Sequence, residues 1–343
     1  MPTILDEQQV LHLVNSQQIF EAWLAAQRQV AQHRYGMRWV RSSDREYLVR
    51  LKDASGNGKS LGVRCEETQR IFEQFNAAKQ RAEEKAKTLK AKMQTQARIN
   101  KALRIGRAPS IVGKILRAIA LRSENLYTVI GTHAQFGYEA MAGVRMKSEL
   151  LASGDIDLLA GSGNVIKIMT QTLVPDGLIG LLRKVDSSFD LVAENSYRAA
   201  NASGFMVDLL IAPRDLRDTS QVTAAAADLV AAEVEGLQWL QNAPKVSITA
   251  IAADGLPFSM KVPDPRVFCM HKAWISLNAD REPAKKIRDA AQAQALYPVI
   301  EEFLPQYPFG EAFMASVPNP LKSAFATVCG GRAQNIDEFS PGL

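Results

Sequence analysis

The stretch SGDIDLLAGSG, residues 153–163, decides how the rest of the chain is read. It sets two acids, Asp155 and Asp157, into an apolar run that also holds Ile156, Leu158 and Leu159. A short run of this composition, bounded by glycines, reads as a strand. Alternate residues of a strand share a face, so Asp155 and Asp157 project together while Ile156 and Leu158 turn toward a core. Two carboxylates at that spacing repel each other unless a cation sits between them, and hard oxygen ligands suit Mg²⁺ or Mn²⁺. A DxD in a surface turn would spell the same letters. Asp208, in GFMVDLLIAP (204–213), weighs against that reading, because it is a third acid embedded in a second strand-like apolar run.

Upstream, YTVI (127–130) runs into Gly131 and Thr132 and then into HAQFGYEAMAGV (133–144), which is helical in pattern. A strand, a glycine turn and a helix N-terminus offer backbone N–H groups to an anion. Beside three acids this becomes a phosphate cradle facing a metal site, the apparatus of phosphoryl or nucleotidyl transfer.

The chain has 343 residues, 47% of them hydrophobic and 22% charged, enough for two or three units with cores of their own. No apolar run approaches the ~20 residues of a membrane span. No secretory leader is visible, and three widely spaced cysteines without a CxxC fit a reducing cytoplasm. The strand-like runs DIDLLA, FDLVAE and FMVDLLIA alternate with helical stretches, which predicts an α/β (α+β) unit over 108–263. Residues 1–107 are expected to form a helix, a small β-hairpin and a long basic helix. Residues 264–343 are expected to be a helical region with a Pro- and Gly-punctuated tail. Between Lys79 and Arg107, ten Lys or Arg residues face only Glu83 and Glu84, on what reads as one long exposed helix. That run is either a solvated face or a surface for a polyanion such as RNA.

The order VIGT (129–132), helix, GDIDLL (154–159), VDLL (207–210) resembles the nucleotidyltransferase superfamily of the DNA polymerase β type. More narrowly, GTHAQFGYEAMAGV, SGDIDLL, NASGFMVDLLIAP and VPDPRVFCMHKAWIS followed by REPAKKIRDAAQA look like a bacterial family of uncharacterised nucleotidyltransferase-like proteins, with relatives in toxin and defence systems. REYLVR (45–50) and LGVRCEETQRIFEQF (61–75) fit the same family, so the resemblance spans roughly residues 35 to 305.

The resemblance implies a polymerase β-like nucleotidyltransferase core with a mixed sheet over 108–263, and a metal-dependent enzyme that moves an NMP from an NTP, whether ATP or another, onto a hydroxyl and releases pyrophosphate. Asp155 and Asp157 would bind both of two Mg²⁺ or Mn²⁺ ions, roughly 4 Å apart, and Asp208 would complete one of them and help deprotonate the acceptor. Gly131 and Thr132 would hold the β- and γ-phosphates. Lys272, on a helix bordering the cleft, is expected to be either a triphosphate ligand or a surface lysine. Lys285 and Asp289 are expected to pair along a helix at i,i+4. His133 is not assigned a catalytic part. Arg183, Lys184 and Asp186 form a candidate rim. The acceptor favoured by the basic helix is RNA, such as the end of a tRNA. The other readings are transfer to a protein or small molecule, and a catalytically silent nucleotide-binding module from a toxin–antitoxin or defence pair.

Overall fold

The computed structural model describes residues 2–122, 126–161, 177–213 and 228–333. Ser162, Gly163 and the tail beyond residue 333 lie outside the described residues.

A two-residue strand, β1 (Thr3–Ile4), precedes helix α1 (Glu7–Gln32). Asp6 caps α1 by accepting from the Gln9 amide at 2.8 Å, while the Gln9 side chain accepts from the Asp6 amide at 3.1 Å. Three antiparallel strands follow: β2 (Met37–Ser42), β3 (Arg45–Leu51) and β4 (Gly58–Val63). The expected hairpin therefore gains a third strand. Helix α2 (Glu66–Ala102) then returns along α1. It begins well before Lys79, because the Thr68 hydroxyl accepts from the Cys65 amide at 2.9 Å and closes the first turn. It also stops before Arg104 and Arg107, which were expected inside it, since Arg104 turns left-handed at φ 53°. α2 is not exposed all round: Phe75, Ala82, Ala86, Met93 and Ala97 are buried. Phe20, Trp23 and Leu24 of α1 share a small core with Met93 and Ala120.

Helix α3 (Ser110–Ala120) leads into β5 (Tyr127–Ile130), α4 (Ala134–Ala142), the short β6 (Val144–Arg145), which pairs with β1, and β7 (Asp155–Ala160). Next come α5 (Gly177–Val185), β8 (Asp190–Leu191), β9 (Arg198–Ala200), β10 (Met206–Ile211), β11 (Ala232–Glu233) and α6 (Leu237–Asn242). The central sheet has the order β5-β7-β10-β9-β8, with β11 also on β10. β7 and β10 are parallel and the pairs β5–β7, β10–β9 and β9–β8 are antiparallel, so the sheet is mixed, as expected. The run FDLVAE shrinks to the two residues of β8, because Asn195 turns left-handed at φ 56° just beyond it.

The predicted second hairpin is present as β12 (Lys245–Ile251) and β13 (Pro257–Pro263). Helices α7 (Pro265–Leu277), α8 (Pro283–Phe303), α9 (Glu311–Ser316) and α10 (Asn319–Ala333) close the chain. Asp264 caps α7 at its Pro265 start. Buried Tyr138 of α4 lies 5.1 Å from the Phe268 ring and donates to the Pro263 carbonyl at 3.0 Å, tying α4 to α7 and β13. No helix among the described residues is long and apolar enough to cross a membrane.

Candidate active site

β7 and β10 run side by side in the same direction, and Asp208 is the direct register partner of Asp157. Residues opposite each other on neighbouring strands share a face, so Asp208 joins Asp157 and Asp155 there. Their opposite neighbours Ile156, Leu158 and Val207 are fully buried, which anchors both strands against sliding. Each of the three acids offers a carboxylate oxygen, and the three oxygens lie within 4.8 Å of one another.

So much negative charge in one place is costly. Burial first, then repulsion from Asp155 and Asp208, push the Asp157 carboxyl up to about 7, against the pull of Lys272 and Arg281. A hard, anionic set of oxygens short of positive charge fits a divalent cation. The Ser153 hydroxyl donates to Asp155 and fixes its direction. On the far side, Arg198 of β9 stands directly across from Asp208 and grips it with two bonds, Nε to Oδ1 at 2.7 Å and Nη2 to Oδ2 at 2.6 Å. Such a fork is geometrically demanding and strong. Replacing it by Arg198→Met leaves a buried carboxylate without its counter-ion. The expected cost is about 3 kcal/mol in thermal unfolding without divalent ions, partly recovered when Mn²⁺ is added; equal stability of the two proteins would refute the pairing.

The glycine corner meets the acids directly. Ile130 pairs with Asp157, and Gly131 follows at φ 67°. A Cβ on Gly131 would stand 1.9 Å from Asp157 Oδ2, so the corner touches the carboxylate and admits only glycine. Thr132 is buried rather than open, and its hydroxyl accepts from Gln292 Nε2 of α8 at 3.3 Å. His133 is buried beside Asp155 between the Phe136 and Phe205 rings, and burial pushes its imidazole down to about 4, so it stays neutral.

Lys272 is a buried residue, not a surface lysine, and its ammonium donates to Asp289 Oδ1 at 2.7 Å. Asp289 Oδ2 accepts from Arg281 Nε at 3.0 Å and Nη2 at 2.8 Å. The expected helical pair of Lys285 with Asp289 is therefore absent: Lys285 reaches Glu282 at 3.1 Å instead. Burial works to raise the Asp289 carboxyl, but the two cations overcome it and hold the group below the usual carboxylate range. Arg281 is the more open of the pair, with 29% of its side chain exposed against 7% for Lys272. Of the candidate rim, Arg183 is spent on Asp190 and Asp186 on Ser188 and Asn201.

Arg198 thus borders the acids, Arg281 pulls on the Asp157 carboxyl and Gln292 holds Thr132 of the corner, and none of the three was given a role from the sequence. The signal for Arg198 was present: counting outward in step from Ser203 in the NASG turn sets residue 198 across from residue 208.

Among solved structures, the chain is similar to the crystal structure of an antigenic nucleotidyltransferase-like protein from Paracoccidioides brasiliensis. The two are 19% identical over 65% of this chain and 88% of that one, with a TM-score of 0.32. No curated protein matches the chain. Residues 110–318, which carry the glycine corner, all three acids and the Lys272–Asp289–Arg281 cluster, match a family described as nucleotidyltransferase. That match covers more than half of the sequence, and the chain belongs to this nucleotidyltransferase family.

Proposed function

We propose that this protein transfers an NMP from an NTP to a hydroxyl acceptor and releases pyrophosphate, at the face where β7 and β10 carry their acids. The observation that carries the reading is the register of Asp157 with Asp208, which brings three carboxylate oxygens within 4.8 Å beside a corner that must be glycine. Asp155, Asp157 and Asp208 would hold Mg²⁺ or Mn²⁺. A divalent ion bound there supplies Lewis acidity and neutralises charge on the phosphates.

The chain's own groups do the rest. The Gly131 corner and the start of α4 present backbone N–H groups toward the β- and γ-phosphates. Arg281 uses two of its nitrogens on Asp289 and keeps donor capacity for a phosphate oxygen. Lys272, shielded behind Asp289, acts through its field and through holding that carboxylate; in this reading Arg281, not Lys272, touches the triphosphate. The acceptor oxygen attacks the α-phosphorus, the bond from phosphorus to the bridging oxygen breaks, and pyrophosphate departs. The acceptor proton passes to the carboxylate cluster, with Arg198 keeping Asp208 aimed.

Incubation with each α-labelled NTP, Mn²⁺ and a cell extract tests this. Label is expected in a macromolecule or small metabolite for the natural protein, and at least a hundredfold less for Asp208→Ala. Equal labelling by a folded Asp208→Ala protein would remove the assignment, and label in a protein fraction would name the acceptor as polypeptide.

A further inference from the structure

The net charge of +5 conceals a division. Residues 1–107 hold 20 Lys or Arg against 11 Asp or Glu, a net of +9, whereas residues 108–343 hold 21 against 25, a net of −4. All of the excess positive charge sits on the α1, β2–β4, α2 arm, and none on the part that bears the acids. An asymmetry of this kind between parts of one chain points to a polyanionic partner.

The cations of the arm are also arranged. From Lys85 to Ala102, α2 has six Lys or Arg and no acid. At 100° per residue, Lys87, Lys90, Arg98 and Lys101 fall within an arc of about 80°, and Arg81, Lys85 and Lys92 within about 40°. All seven are exposed, and none of their side chains has a hydrogen-bond or ion-pair partner among the described residues. The two stripes flank the side of α2 that is buried against α1, and α2, with 37 residues, is a rod roughly 55 Å long. Its root is fixed to the rest of the molecule: the Asn100 amide donates to Ser16 Oγ at 2.9 Å and to the Gly255 carbonyl at 2.8 Å.

We propose that this arm is a docking surface for folded RNA, bound through its phosphates, and that it presents an RNA hydroxyl to the active site. The second half of this statement rests on the transfer reading above. A straight row of like charges on a rigid rod matches a regular row of phosphates, and the binding it supports is independent of base sequence. A lipid surface fits less well, because α2 exposes no large apolar side chain beside its cations, its apolar side being packed against α1. RNA is preferred to DNA because each of its nucleotides carries the hydroxyl that the reaction consumes.

The test measures binding by the full-length protein without NTP or divalent ions, to a labelled RNA hairpin, the same sequence as duplex DNA, heparin, an acidic protein and anionic vesicles. The hairpin is expected to bind most tightly, with log K falling against log salt at a slope of about −3 or steeper. The triple variant Lys87→Glu, Lys90→Glu, Arg98→Glu is expected to weaken binding at least tenfold and to flatten the slope by about 2, with an unchanged melting curve. A triple Gln variant repeats the measurement with milder changes should the first fold poorly. Absence of RNA binding, indifference to both triple variants, or tighter binding of any competitor would overturn the proposal. RNA bound without any NMP transfer would sink the reaction and leave the docking surface standing. Transfer to another acceptor with no RNA bound would do the reverse.

Discussion

Asp157→Asn is expected to abolish transfer, by at least a thousandfold, and at the same time to make the metal-free protein more stable. The two effects have one cause. Asp157 is the acid most opposed by its surroundings: burial and its two acidic neighbours raise its carboxyl from 3.8 to about 7. A group with a raised folded-state value binds its proton more tightly folded than unfolded, so folding is penalised when the proton is lost. The penalty is absent below the unfolded value, grows as pH climbs from about 4 to about 7, and is fully present above that. An amide of the same shape carries no such charge. At pH 8 the variant is therefore expected to melt several degrees higher than the natural protein, and this gain should vanish near pH 4. Mn²⁺ should raise the melting temperature of the natural protein, more at pH 8 than at pH 6 because protons compete for the same oxygen, and should do little for the variant. A variant that melts lower than the natural protein at pH 8 would mean that the acids are balanced by something other than a cation they recruit. Stability given up at a working site is a familiar exchange in enzymes.

How much of this was legible in advance follows from the range of the forces involved. DIDLLA and MVDLLI announced themselves because the acids interrupt otherwise apolar runs, and a strand's period of two is a local property. Gly131 was legible because a glycine between a strand and a helix has few other uses. Asp289 was not: along its own helix its neighbour is Lys285, whereas Lys272 reaches it from the preceding helix α7 through the packing of α7 on α8, which periodicity within one helix does not reveal. β4 was missed because GKSLGV carries two glycines and a bulged register opposite Leu48 and Val49, which blur the alternation of a strand. The basic run from Lys79 to Arg107 gave a helix but not its ends, because the start depends on a Thr68 cap and the end on a left-handed Arg104, neither of which charge can signal.

Gly131→Ala and Gly143→Ala form a pair that separates backbone strain from the shape of the site. Both glycines have nearly the same left-handed backbone, φ 67° and 64°, so an alanine at either position bears a similar conformational cost of about 1–2 kcal/mol. Their surroundings differ. A Cβ at Gly143 meets nothing within 4 Å, whereas one at Gly131 falls 1.9 Å from Asp157 Oδ2. Turning the carboxylate relieves only part of this clash, because Asp157 Cγ at 3.0 Å and Cβ at 3.4 Å crowd the same position. Gly143→Ala is therefore expected to lower stability by about 1–2 kcal/mol and to leave Mn²⁺ affinity and NMP transfer within a factor of two. Gly131→Ala is expected to cost a further ~2 kcal/mol from overpacking, to weaken Mn²⁺ binding at least tenfold by displacing the carboxylate, and to reduce transfer at least a thousandfold. Melting curves and Mn²⁺ titrations on both proteins decide it. If the two alanines behave alike, the glycine at 131 serves the turn alone, and the contact between the phosphate corner and the acids has no part in the chemistry.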